Sequence, residues 1–206
     1  MSQQQVIDEV RKKHFPLKLE NGITGEIAPL HEGLAVATRL WGDVFGPSNE
    51  GRGLFHTPSE RQPTEQQMLM HYASTIHSEC IIARDKDGRE IGWFVGEAED
   101  NMTFYLRNGG LLPEARRQGL LQYFLPKFLA YLTEVGYERV TSEHYSNNSA
   151  VLIAMLKNGF YISGLNLDER SGALIKLVRL LQKDRREGFE SAFRLPSFDP
   201  SAPRRC

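Results

Sequence analysis

Apolar residues along this chain fall into blocks of two periods, one of two residues and one of three to four, separated by runs of Gly, Pro, Asn and Asp. The most regular helical block is Leu120, Leu121, Phe124, Leu125, Phe128, Leu129 and Leu132, a single apolar stripe. Pro126 lies within it and removes a backbone donor, which predicts a kink, and Gly136 closes it. A second stripe (Leu30, Leu34, Ala37, Leu40, Trp41, Val44) predicts a helix over 29–45. Shorter helices are expected over 6–14, 64–77 (capped by Thr64) and 148–158. Strand patterns cover 22–28, 79–84, 90–98, 102–112, 137–143, 160–165 and 173–181. Asp85-Lys86-Asp87-Gly88 reads as a hairpin turn, and Gly109 and Gly110, inside a strand, read as a bulge or a close approach. Residues 46–63 read as a loop. Residues 183–206, charged and proline-bearing, read as a surface tail held through Phe189, Phe193 and Phe198. Trp41, Phe45 and Phe55 border the loop and are expected to staple the first long helix to the sheet rather than to wall a site.

Composition narrows the class. A length of 206 residues with 40% hydrophobic and 25% charged residues suits one globular domain with extensions. The formal net charge of −1 forces no broad basic surface, so neither nucleic acid nor an acidic membrane is an expected partner. No apolar run is long enough to span a bilayer, the N-terminus lacks a signal-peptide core, and there are two cysteines, Cys80 and Cys206. A reduced, cytoplasmic protein is the expectation. His71, His77 and Cys80 match no usual zinc spacing, so no metal is expected. The chain also lacks the phosphate-loop, dinucleotide, zinc-protease and serine-hydrolase signatures.

One stretch carries chemistry. In Leu111-Leu112-Pro113-Glu114-Ala115-Arg116-Arg117-Gln118-Gly119-Leu120-Leu121, a strand stops at a proline, and two arginines and a glycine open a helix. The first amides of a helix have no internal partner and carry the positive end of its dipole. Glycine lets an anion approach the backbone, and cations at a helix start otherwise oppose the dipole. A phosphate or diphosphate ligand is expected there.

The order strand–strand–strand–helix–strand–helix–strand–strand from residue 79, together with this turn, resembles the GNAT (Gcn5-related N-acetyltransferase) family over roughly residues 22–181. Arg116-Arg117-Gln118-Gly119-Leu120-Leu121 is similar to the family's Gln/Arg-x-x-Gly-x-Gly/Ala turn, with Leu121 where a small residue is usual. Asn148 through Gly159-Phe160 is similar to its Asn-led helix, with Met155 where a tyrosine is usual. The resemblance implies an α/β (α+β) fold, with a mixed, mostly antiparallel sheet, splayed central strands and flanking helices. It divides the chain into an extension (1–21), the domain (22–181) and a tail (182–206). It implies acetyl-CoA as co-substrate and no metal. Arg116 and the amides of Arg117, Gln118, Gly119, Leu120 and Leu121 would hold its diphosphate, Leu111 and Leu112 its pantetheine arm, and Asn148 would touch it. The acceptor would be an amine of a small molecule or peptide, attacked directly, and a homodimer is compatible. Glu143 is the first candidate for the base; Met155 cannot donate a proton, so either the thiolate leaves unaided or another group (Tyr145, His144 or Tyr123) supplies it. Tyr105 and Arg107 are candidates to line an acceptor pocket. A rival implication is a non-catalytic acyl-CoA-binding or regulatory module, and a second rival is an interaction domain that has lost the cofactor.

Overall fold

The computed structural model describes residues 3–46, 75–169 and 171–195. The helix expected at 64–77 and the loop at 46–63 fall almost wholly outside them, as do His71, Phe55, Phe198 and Cys206. The chain forms two compact units: one from Arg11–Ala98 and Arg107–Leu120, the other from Met1–Val10, Glu99–Leu106 and Leu121–Cys206.

In the first unit, β1 (Leu17–Lys18), β2 (Thr24–Ala28), β3 (Ser78–Arg84), β4 (Glu90–Ala98) and the end of β5 (Thr103–Leu111) lie side by side in that order. The β1–β2, β2–β3 and β3–β4 ladders are antiparallel, with Ile82 opposite both Glu26 and Trp93. Helix α2 (Leu30–Phe45) packs on β3 and β4. It can do so because residue 33 is glycine: a Cβ there would sit 1.7 Å from Cys80 Sγ. Burial pushes the Cys80 thiol up to about 12, so it behaves as a small apolar residue. Trp41 and Phe45 lie on the Trp93 ring at 6.1 and 5.9 Å, the expected staple. Gly110 leaves the room this cluster needs, since a Cβ would come within 2.6 Å of Val44 Cγ1 and 2.8 Å of Trp93 Cη2. The strand glycines therefore do mark a close approach. The buried Glu79 carboxylate accepts from Arg11 Nε at 3.0 Å and faces His77 Nε2 at 2.7 Å, tying the end of α1 (Gln3–His14) to β3.

The second unit is built on the start of β5. It runs parallel to β6 (Arg139–Tyr145), which is antiparallel to β8 (Gly172–Leu180), and β7 (Tyr161–Asp168) forms the edge beyond β8. Helix α3 (Leu120–Val135) covers the inner strands, Phe128 meeting Phe104 edge-on at 5.7 Å. Tyr131, Leu132, Val140 and Leu177 are wholly buried. Helix α4 (Ser149–Lys157) follows β6 and buries Ala154 and Met155.

Within the charged stretch read as a surface tail, residues 183–193 form helix α5 (Lys183–Phe193). Its apolar stripe is only Phe189 and Phe193, one turn apart among charges, with Phe189 on Tyr161 at 5.2 Å. The Tyr161 hydroxyl donates to the buried Glu190 carboxylate. In the N-terminal stretch, Ile7, Val10 and Leu17 are buried.

The Gly33 contact predicts that Gly33→Ala lowers stability by about 1–3 kcal/mol through overpacking. A urea titration followed by far-UV circular dichroism reads this directly, and an unchanged midpoint would refute the contact.

Candidate active site

The turn after β5 is shaped by proline and by a change of backbone hand. Pro113–Ala115 form one 3₁₀ turn, in which Ala115 N–H donates to Leu112 O at 2.9 Å. Arg116 is extended (φ −73°, ψ 161°), Arg117 is left-handed (φ 61°) and Gly119 is again at positive φ (77°). A left-handed conformation costs a residue such as arginine about 1–2 kcal/mol. Such reversals turn successive amides toward one side as a nest. Among the described residues, the N–H groups of Arg117, Gln118, Gly119 and Leu120 meet no protein acceptor. A Cβ at Gly119 would have nothing within 4 Å, so the approach is open. Helix α3 starts at Leu120 with no acidic residue in its first turn, adding the positive end of its dipole.

The side chains around the turn divide into clamps and free charge. Arg116 donates through Nε to Leu111 O at 3.0 Å and through Nη2 to Val44 O at 2.5 Å, locking the strand end to the last turn of α2. Gln118 Nε2 donates to Glu114 O at 2.8 Å. The Glu114 carboxylate is matched by Arg89 at 3.1 Å, so the nearest acid does not oppose an anion. Arg117 is exposed and has no hydrogen-bond partner among the described residues. Leu112 N–H donates to Ile91 O at 2.9 Å within the sheet. By the alternation of an antiparallel ladder, it is Leu111, not Leu112, that directs its N–H away from β4. Leu120 is buried; Leu121, where a small residue is usual, is half-buried in the first helical turn.

In the second unit, the β5–β6 ladder runs from Thr103↔Arg139 to Leu106↔Ser142 and stops there. Glu143, His144 and Tyr145 continue β6 and pair only with β8. Glu143 is half-buried and accepts from Asn166 Nδ2 at 3.3 and 3.4 Å. Tyr145 is exposed; its carbonyl accepts from Asn148 N–H at 2.9 Å, so β6 turns at once into α4. Asn148 caps α4, its side chain accepting from Val151 N–H at 3.5 Å. Met155 is core filler, 2% exposed, leaving no hydroxyl at that helix position. His144 Nε2 lies 3.1 Å from Ser142 Oγ, and burial holds its imidazole down at about 4, neutral at ordinary pH.

The structure thus gathers residues 111–120 in one unit and Glu143, Tyr145 and Asn148 in the other. Arg107 is held by an ion pair with Glu97. Asn166, the partner of Glu143, went unnoticed in the sequence: it lies 23 residues away, and only the strand register brings it close. The Ser142–His144 pair has a faint signal, two polar residues spaced two apart on one face of a strand.

No family model and no curated protein matches the chain. Solved structures do. A spermidine/spermine N-acetyltransferase from Vibrio cholerae aligns at TM-score 0.58 and 13% identity, covering 81% of this chain and 96% of that one. A ribosomal-protein-S18-alanine N-acetyltransferase from Escherichia coli aligns at 0.55 and 13%, covering 78% and 94%. A Salmonella typhimurium structure described as an acetyltransferase, solved with its cofactor acetyl-CoA, aligns at 0.55 and 13%, covering 79% and 96%. At such identities the likeness is one of fold: the chain has the GNAT acyltransferase fold, as expected.

The His144 environment sets a pH dependence. Its folded value of about 4 lies below the usual 6.5, so the unfolded chain binds more protons between them. The stabilisation is complete above pH 6.5 and is lost as the pH falls through 4, on the order of 3 kcal/mol in all. Urea midpoints measured across that range should fall less steeply in His144→Gln than in the parent protein.

Proposed function

We propose that this protein is an N-acetyltransferase that moves an acetyl group from acetyl-CoA to an amine of a small molecule or peptide. The reading rests on one observation above all: the four consecutive unpartnered amides from Arg117 to Leu120, beside exposed Arg117, in a fold shared with acetyltransferases. An acceptor-free row of N–H groups at a helix start suits a diphosphate. The absence of a nearby Cβ at Gly119 suits its close approach.

Acetyl-CoA, when bound, supplies an activated thioester carbonyl. The amides of residues 117–120 and of Leu121 bind and orient its diphosphate, with Arg117 adding charge. Arg116 acts chiefly by fixing the turn, because two of its nitrogens are already bonded to Leu111 O and Val44 O. The outward N–H of Leu111 takes the pantetheine arm, and Asn148 contributes its side-chain amide. Glu143 accepts the proton of the substrate ammonium, and the free amine nitrogen then attacks the carbonyl carbon. As the carbon–sulfur bond breaks, the thiolate leaves unaided or takes a proton from the Tyr145 hydroxyl, which the second proton of the attacking nitrogen replaces; Met155 cannot donate one. Holding amine and thioester together supplies much of the acceleration.

Met155 in the core also supports a second reading, an acyl-CoA-binding module without catalysis. The two part in the assay: the enzyme releases free thiol with some member of an amine panel, and the module binds acetyl-CoA but releases none.

Isothermal titration should show acetyl-CoA binding that weakens about tenfold or more, 1.4 kcal/mol, in Gly119→Val, where a side chain meets both the positive φ and the anion. S-acetylpantetheine, lacking the diphosphate, should be insensitive to that change. Equal binding of acetyl-CoA by both proteins would remove the turn from the site. Glu143→Gln should lower kcat about 100-fold or more with acetyl-CoA affinity kept. Full activity in that variant would exclude Glu143 as the base.

A further inference from the structure

Strand β7 is an edge whose apolar side is uncovered. Along its ladder with β8, Ile162 stands opposite Leu177, the register then slips at Ser163, and Leu165 and Leu167 stand opposite Ile175 and Ala173. Residues two apart on a strand share a face, so an uninterrupted strand would set Ile162 against Leu165 and Leu167. The extra residue reverses this, and all three point to the face that Leu177 and Ile175 occupy. Leu177 is wholly buried, yet Ile162, Leu165 and Leu167 are 62%, 63% and 77% exposed. They form the largest group among the exposed large apolar side chains of the described residues.

The edge also lacks most of the devices that discourage strand pairing. Tyr-Ile-Ser-Gly-Leu-Asn-Leu-Asp carries no proline and no lysine, and its one charge, Asp168, is terminal. The bulge lies near the Tyr161 end, leaving Gly164–Asp168 in regular register with β8. On the outer side no strand follows β7 among the described residues, so alternate backbone groups lack a ladder partner there.

We propose that β7 is a self-association edge: it pairs antiparallel with β7 of a second copy of this chain about a two-fold axis. Charge selects this occupant and this direction. At the Tyr161 end, the guanidiniums of Arg179 and Arg186 act on the phenol, together with the single carboxylate of Glu190. At the other end Asp168 and Glu169 are followed in sequence by the single guanidinium of Arg170, so the two ends carry an excess of one charge each, of opposite sign. Antiparallel pairing of identical strands sets the acidic end of each against the basic end of the other; parallel pairing sets like against like. A two-fold axis through the strand pair keeps both apolar faces on one side, where leucines of the two copies become cross-strand neighbours at about 5 Å.

Sedimentation velocity on the full chain at micromolar concentration should show a dimer, and Leu165→Lys/Leu167→Lys should convert it to a monomer with unchanged far-UV circular dichroism. Phe193→Ser, an exposed apolar change on α5, should leave the dimer intact. A monomeric parent protein would overturn the proposal, as would a dimer that survives the double substitution. Hydrogen exchange on the unmodified chain covers the case in which the variant fails to fold: β7 amides should gain protection as concentration rises. Protection that is independent of concentration, whether absent or supplied by another segment of the same chain, would overturn the pairing equally.

Discussion

Four backbone donors in a row, Arg117 to Leu120, have no acceptor within the described protein, and much of the molecule around them serves to keep them so. A buried N–H without a partner costs about 1–3 kcal/mol; residues 117–119 are exposed, so water or an anion relieves that cost here. The left-handed Arg117 adds conformational strain to that cost. A turn left to relax would satisfy these groups locally. It is prevented by Pro113 at one end, by helix α3 at the other, and by Arg116, whose guanidinium is fastened to two carbonyls.

Strand β5 carries this turn. Its first residues pair with β6 through Leu106, and its last ones pair with β4, as the Leu112–Ile91 bond shows. Gly109 and Gly110 make the second half unusually close to its neighbours, with Trp93 and Val44 filling the volume that side chains would need. The aromatic staple on α2 and the position of the turn are therefore one packing problem, since Val44, which excludes a Cβ at Gly110, also offers the carbonyl that Arg116 grips. The position of the turn is thus set by apolar packing at its back.

Electrostatics follow the same division of labour. The acid nearest the turn, Glu114, is matched by Arg89, while Arg117 is exposed with no hydrogen-bond partner among the described residues. On β6 the polar residues past the end of the parallel ladder sit in contrasting surroundings. Glu143 is half-buried beside an amide from Asn166, while His144 on the opposite face is desolvated and neutral.

The sequence by itself determined nearly every described element of regular structure and the place of the turn. Helical stripes such as Leu120–Leu132, and the proline–arginine–glycine succession, are local patterns that carry their own physical meaning within a few residues. Local reading failed where the signal was thin: the two-aromatic stripe of α5, and the two-residue strand Leu17–Lys18. Only the tertiary structure decided that Arg116 is a clamp, that Leu112 N–H belongs to the sheet, that Asn166 stands beside Glu143, and that an extra residue at Ser163 turns three apolar side chains to one face. Each of these depends on register or on a contact between residues far apart in the chain. Register is chosen by the sum of many weak cross-strand and packing interactions, a sum that no single stretch of residues contains.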